Sequence, residues 1–164
     1  MTKDELILEI QNAFKDIKLE DGIGMYESNC IDDYDLPDSP KYILEKKKDE
    51  RENWEKLLPF FLSPEIPVGF LLVGRWGYMD AKGKRFVLPA LLIQELEVNR
   101  LNNPFYDDLV MWYSTAEWMT ILSETQVSVI IKFFEFQLEK FIQNDDVIYF
   151  DLYFYYLEAF KQNF

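Results

Sequence analysis

The chain has 164 residues, 49% of them apolar and 17% aromatic, with 17 Lys/Arg against 30 Asp/Glu and a formal charge of −13. That length and apolar content suit one folded domain with a continuous core and exclude disorder as the default. The acid surplus disfavours nucleic acid and anionic lipid as partners, and no run approaches the ~20 apolar residues that cross a bilayer.

The charge is unevenly placed. Residues 1–65 carry a net −8, residues 66–100 a net +2, and residues 101–164 a net −7. The opening residues Thr2-Lys3-Asp4-Glu5 do not resemble a secretory signal. Cys30 is the single cysteine, so no intrachain disulfide can form, which fits a reducing compartment and a cytoplasmic protein.

In chain order, Thr2 and Glu5 form a T-x-x-E capping box. Leu6, Ile7, Ile10, Ala13, Phe14 and Ile17 follow at helical spacing until Asp21-Gly22. The polar stretch Ser28–Ser39 reads as a loop. Ser39-Pro40 reads as the N-cap and first position of a second helix, which the charged run Glu45–Glu55 carries towards Leu58 until Pro59 stops it. Ser63-Pro64-Glu65 offers a short helical turn. Arg75–Met79 and Lys84–Val87 flank the turn Asp80-Ala81-Lys82-Gly83, a β-hairpin signal. Pro89 then opens a helix from Ala90 to about Arg100.

Ser123 and Gln126 make a second capping box, S-x-x-Q, for a helix to about Ile142. Its apolar stripe is broad enough to be covered on two sides. Asn144-Asp145-Asp146 introduces a last helix, Val147–Lys161, apolar nearly all round and dense in Tyr and Phe. The fold class expected is α+β, predominantly α: about five helices packed around a short antiparallel β-hairpin, in one domain spanning 1–164.

Chemistry is limited by what is missing. The chain has no histidine, which removes the commonest general base, the usual partner of a Ser or Cys nucleophile, and the commonest metal ligand. No phosphate-binding, dinucleotide-binding or nucleophile-elbow motif occurs, and no cofactor is indicated. Carboxylates remain. Asp32, Asp33, Asp35 and Asp49 offer hard oxygen ligands for Mg²⁺ or Ca²⁺, although their spacing is not that of an EF-hand. The simpler account pairs them with nearby lysines and arginine on a solvated face. Cys30, with no histidine to activate it, reads as a small buried hydrophobe, and Trp54 as the apolar anchor of its helix.

Two further groups of side chains suggest contacts. Arg75, Lys82, Lys84 and Arg85 form the one basic concentration, either pairing with surplus carboxylates or making a small anion-binding or docking patch. Tyr149, Tyr153 and Tyr156 on the last helix are either core or the centre of an interface.

Several segments together resemble an uncharacterised family of small bacterial proteins classed as a domain of unknown function. They are Ile31-Asp32-Asp33-Tyr34, Asp49-Glu50-Arg51 with Trp54, Tyr78-Met79-Asp80 leading through Gly83 to Arg85-Phe86-Val87-Leu88-Pro89-Ala90, and Leu122-Ser123 with Gln126. The resemblance implies a bacterial cytoplasmic protein, helical with a small hairpin, and brings no activity with it. The functional expectation is therefore a non-enzymatic acidic interaction domain, of the immunity or antitoxin kind, that masks a basic protein partner. The alternatives are a divalent-metal carboxylate enzyme and a homodimeric structural protein.

Overall fold

Thr2 caps the first helix as its sequence dictates. Its hydroxyl accepts from the Glu5 amide at 3.2 Å, and the Glu5 carboxylate accepts from the Thr2 amide at 2.7 Å. The computed structural model describes residues 1–63, 75–97, 116–144 and 147–162. Its helices are α1 (Lys3–Ala13), α2 (Met25–Asp32), α3 (Pro40–Lys46), α4 (Leu58–Phe61), α5 (Arg75–Tyr78), α6 (Ala81–Glu97), α7 (Glu124–Gln143) and α8 (Val147–Gln162). Short 3₁₀ turns cover Trp54–Leu57 and Ala116–Ile121. The chain divides into two compact units, Met1–Lys15 with Leu122–Phe164, and Asp16–Ile121.

In the first unit, α7 carries α1 and α8. The Ser123–Gln126 box forms as expected, and Gln126 does more than cap. Its Oε1 accepts from the Ser123 amide at 3.1 Å while its Nε2 donates to the Ala13 carbonyl at 3.2 Å, closing the C-terminal end of α1. One buried amide thus satisfies backbone groups at the ends of two helices, which would otherwise be left without partners. Lys132 of α7 adds an ion pair to Glu9 of α1 at 2.5 Å. On the other side of α7, the Tyr153 ring lies 5.0 Å from Phe141 and 5.8 Å from Phe134, both edge-on. Phe160 stands 6.3 Å from Phe134. The segment 147–162 is helical, so its length outweighs its β-prone aromatics.

In the second unit, no strand occurs among the described residues, and the expected β-hairpin is not there. The fold is helical throughout the described residues, not α+β. Arg75–Tyr78 is one helical turn, and Ala81–Glu97 is a single helix of 17 residues. The Asp-x-x-Gly segment read as a turn is a helix start. The Asp80 carboxylate accepts from the Gly83 amide at 2.8 Å, in the manner of a helix N-cap, because that donor has no partner within its own helix. Pro89 lies inside α6, where it costs about 3 kcal/mol. Burial of Phe86, Val87, Leu88, Leu91, Leu92, Ile93 and Leu96 outweighs that cost, at roughly 1.5–3 kcal/mol each. Gln94, fully buried on the same helix, donates to the Phe61 carbonyl and ties α4 to α6.

Other boundaries differ as well. α1 stops at Ala13, with Phe14 as its C-cap, so Ile17 lies beyond it. The expected loop 28–39 begins instead inside α2. α3 starts at Pro40 behind the Ser39 cap but ends at Lys46. The chain then turns back, and Trp54 enters the core from a 3₁₀ turn with 1% of its surface exposed. The Ser63–Glu65 turn extends beyond the described residues. No helix among the described residues is long and apolar enough to cross a membrane.

Alanine substitution of a helical glycine ordinarily stabilises a helix by roughly 0.5–1 kcal/mol. At Gly83 the sign reverses, because a Cβ there would overlap the Ile23 carbonyl oxygen, which is backbone and cannot swing away. Gly83→Ala is expected to lower unfolding free energy by about 2 kcal/mol or more, read from urea denaturation.

Candidate functional site

The second unit is organised around the segment from Leu19 to Glu27, a partly buried irregular stretch that runs into the start of α2. Three side chains from elsewhere satisfy its backbone. Arg51 donates to the carbonyls of Glu20, at 2.7 Å, and Gly22, at 3.2 Å. Asp80 accepts from the Ile23 amide at 3.0 Å through the oxygen that also caps α6. Asp49 accepts from the amides of Tyr26, at 2.8 Å, and Glu27, at 3.1 Å. The N-cap of α2 is Gly24, which has no side chain to offer, so Asp49 supplies the cap from a distance. Gly24 is needed for this approach, since a Cβ would collide with the Asp49 carboxylate. Burial pushes the Asp49 carboxyl above its ordinary value, against the opposing pull of those two amides.

Glu27 follows on α2 and is 3% exposed. Its Oε1 accepts from the Lys46 ammonium at 2.6 Å and from the Tyr42 hydroxyl at 2.8 Å, and its Oε2 faces Arg51 at 3.4 Å. A carboxylate held by two cations and a phenol is compensated, which makes it a joint between α2 and α3 in place of a free general base. Burial, then Glu27, push the Tyr42 phenol up to about 12.

The far end of α2 is unlike the rest. The Asp35 amide donates to the Cys30 carbonyl at 2.9 Å and the Tyr34 amide to the Ile31 carbonyl at 3.1 Å, the paired bonds of a Schellman ending. The residue that must turn left-handed there is ordinarily glycine, and here it is Tyr34, with φ 59° and 89% of its surface exposed. The left-handed region costs an L-residue about 1–2 kcal/mol. Leu36, Ile43 and Leu44 of the α2–α3 region are also exposed, as are Asp33 and Asp38, while Asp32 and Asp35 are half-buried. Tyr78 of α5 donates its hydroxyl to Asp32, which together with burial raises its phenol pKa. The α2–α3 corner thus carries exposed apolar and acidic side chains together.

The aspartates considered as metal ligands are placed for other work. Asp33 and Asp35 share Lys41, at 3.1 and 2.7 Å, Asp32 holds Tyr78, and Asp49 caps α2. No group of three His, Cys, Asp or Glu among the described residues is arranged to hold a metal ion. The basic residues of the centre separate likewise. Lys82 bridges Glu20 and Asp21 at 2.7 and 2.5 Å. Lys84 is buried, its ammonium 5.9 Å from the Trp76 ring, and burial lowers its pKa. Arg85 donates to the Ile121 carbonyl at 3.2 Å. The side chain of Arg75 lies outside the described residues. Of the tyrosines on α8, Tyr153 is fully buried, and the side chains of Tyr149 and Tyr156 lie outside the described ones. Cys30 is buried and free, and burial raises its thiol pKa.

The Tyr34 corner is the feature that pattern reading missed. Its signal was present: Ile31-Asp32-Asp33-Tyr34-Asp35-Leu36 sets apolar side chains among acids without helical periodicity. The left-handed turn could not be anticipated from a tyrosine.

A family model described as a family of unknown function (DUF6714) matches residues 2–156, and the chain belongs to that family, in keeping with the resemblance carried by its motifs. No curated protein and no solved structure matches the chain significantly.

The Tyr42 phenol provides a test of the joint. With its value raised from 10.0 to about 12, its contribution to stability is present below pH 10 and is lost as pH rises through 12, where a phenolate would face Glu27. The native chain is expected to lose stability over that interval faster than Tyr42→Phe, as measured by thermal unfolding across alkaline pH.

Proposed function

We propose that this member of a family of unknown function is a non-catalytic interaction domain whose α2–α3 corner binds a basic protein. The observation that carries the reading is Tyr34, an aromatic side chain 89% exposed on a backbone that a glycine would occupy at lower cost. Strain of this kind persists where the surrounding structure enforces it, and it concentrates at functional positions. Tyrosine is among the residues enriched at interface centres. Leu36, Ile43 and Leu44 extend the contact surface, and the exposed Asp33 and Asp38 complement a positive partner. The net charge of −13 adds long-range attraction that speeds encounter with such a protein. Masking a basic partner is what an immunity or antitoxin-like factor does, and the buried single cysteine suits a reducing cytoplasm.

A second reading has its own support. Ile142 on α7 and Phe154 and Tyr155 on α8 are large and exposed, at 64%, 49% and 66%. A homodimer formed through that unit would cover them, and light scattering that returns a monomeric mass excludes it.

The substitution Tyr34→Gly separates structure from binding. It relieves the left-handed strain at some entropic cost, so stability is expected to rise by between a few tenths and about 1 kcal/mol. The same variant is expected to lose a basic partner that the native chain retains from its host's extract at low salt and releases at high salt. Retention of the same proteins by both forms, or a partner that is itself acidic, would sink the proposal.

A further inference from the structure

Beside the α2 cap lies a cavity of about 190 Å³, lined in part by Gly24, Tyr26 and Asp49 of the capping network and by none of the exposed residues of the α2–α3 corner. Its apolar floor is formed by Met25, Phe60, Phe86 and Val87. Lys48 and Lys56 stand among its polar lining residues with Asp49 and Glu50. Its walls come from segments that are each fixed independently. The Leu19 amide donates to the Arg51 carbonyl at 2.9 Å, Asp49 is bound to the α2 amides, and Glu50 accepts from the amides of Glu52, at 2.9 Å, and Asn53, at 3.1 Å. A site held open in this way spares a ligand much of the ordering cost of binding.

The hydrogen-bonding capacity left over decides what the cavity accepts. Both carboxylates in the lining already serve two backbone amides each, and Glu50 also takes Lys56 at 3.1 Å. The two lysines are in the opposite position. Each ammonium has three donors; Lys48 pairs with Glu45 and stands 5.6 Å from the Tyr26 ring, Lys56 pairs with Glu50, and the two lysines remain 53% and 62% exposed. Exposed pairs of this sort are worth about 0–1 kcal/mol, so an incoming anion exchanges with them at little cost. The polar side of the cavity therefore offers donors, and its floor offers carbon.

We propose that this cavity binds a small monocarboxylate with an aromatic or branched apolar tail, the carboxylate between Lys48 and Lys56 and the tail on Met25, Phe86 and Val87. An apolar cavity of ~150 Å³ accepts benzene, so one of about 190 Å³ accommodates a ring with one or two further atoms. The site is separate from the Tyr34 surface, and its occupancy does not depend on the protein partner.

The test is a titration of the full-length, isotopically labelled chain with phenylacetate, followed by amide chemical shifts. Saturable changes at Gly24, Tyr26, Asp49 and Val87 are expected at millimolar ligand, with benzylamine and benzyl alcohol weaker by about tenfold or more, as loss of a charge-assisted contact requires. The double variant Lys48→Met with Lys56→Met, altered only at exposed side chains, is expected to fold normally and to lose the preference for the acid over the alcohol. Leu57→Trp, which fills the cavity from its edge, is expected to abolish binding of all three. Equal binding of benzylamine, changes spread away from the cavity, or unaltered binding by Leu57→Trp each overturn the proposal. Since no protein partner is in the tube, failure here leaves the Tyr34 surface standing, and failure of that surface leaves this site standing.

Discussion

Backbone between Leu19 and Gly24 is buried in part yet belongs to no helix, so its carbonyls and amides need partners from outside. Arg51, Asp80 and Asp49 provide them, and most of the second unit follows from that requirement. Asp49 and Arg51 must face inward, so the charged run after α3 cannot continue as a solvated helix. Asp80 must serve the Ile23 and Gly83 amides together, so α6 begins where a turn was expected. Gly22, Gly24 and Gly83 are three places where this arrangement leaves no room for a side chain. The family resemblance ran through Asp49, Arg51, Trp54, Asp80 and Gly83; Asp49, Arg51 and Asp80 bond the backbone of this segment and frame it, Gly83 gives it room and Trp54 fills the core.

That frame divides the acidic residues by duty. Glu27, Asp49 and Asp80 are turned towards amides and cations within the unit, where their charge is compensated. Asp33 and Asp38 lie outward and Asp32 and Asp35 are half-buried, with Lys41 the cation set against Asp33 and Asp35. A formal charge of −13 therefore has a local expression at the α2–α3 corner, beside the exposed Tyr34 and Leu44.

Local signals were legible in the sequence wherever a few adjacent residues decide the outcome. Both capping boxes, the Ser39-Pro40 helix start, buried Trp54 and the helicity of 147–162 follow from short-range chemistry and spacing. Ambiguity entered where one pattern serves two geometries. Asp-x-x-Gly closes a turn or caps a helix, and the choice lay with Ile23, far away in the chain. Pro89 opens a helix or interrupts one, and the burial of α6 settled that it interrupts. α2 was hidden because its cap, Asp49, comes from another segment. The surface centred on Tyr34 was hidden because no pattern announces a left-handed tyrosine.

The partners of the 19–27 segment also set an order of events during synthesis. Tyr26 waits for Asp49, 23 residues later, and Ile23 for Asp80, 57 residues later. An emerging chain that ends before Asp80 has the sequence of α2 but not the groups that hold the segment leading into it. Contacts this distant in sequence close slowly and together. On the ribosome, the segment leading into α2 therefore acquires its full set of backbone partners only after the start of α6 has been made.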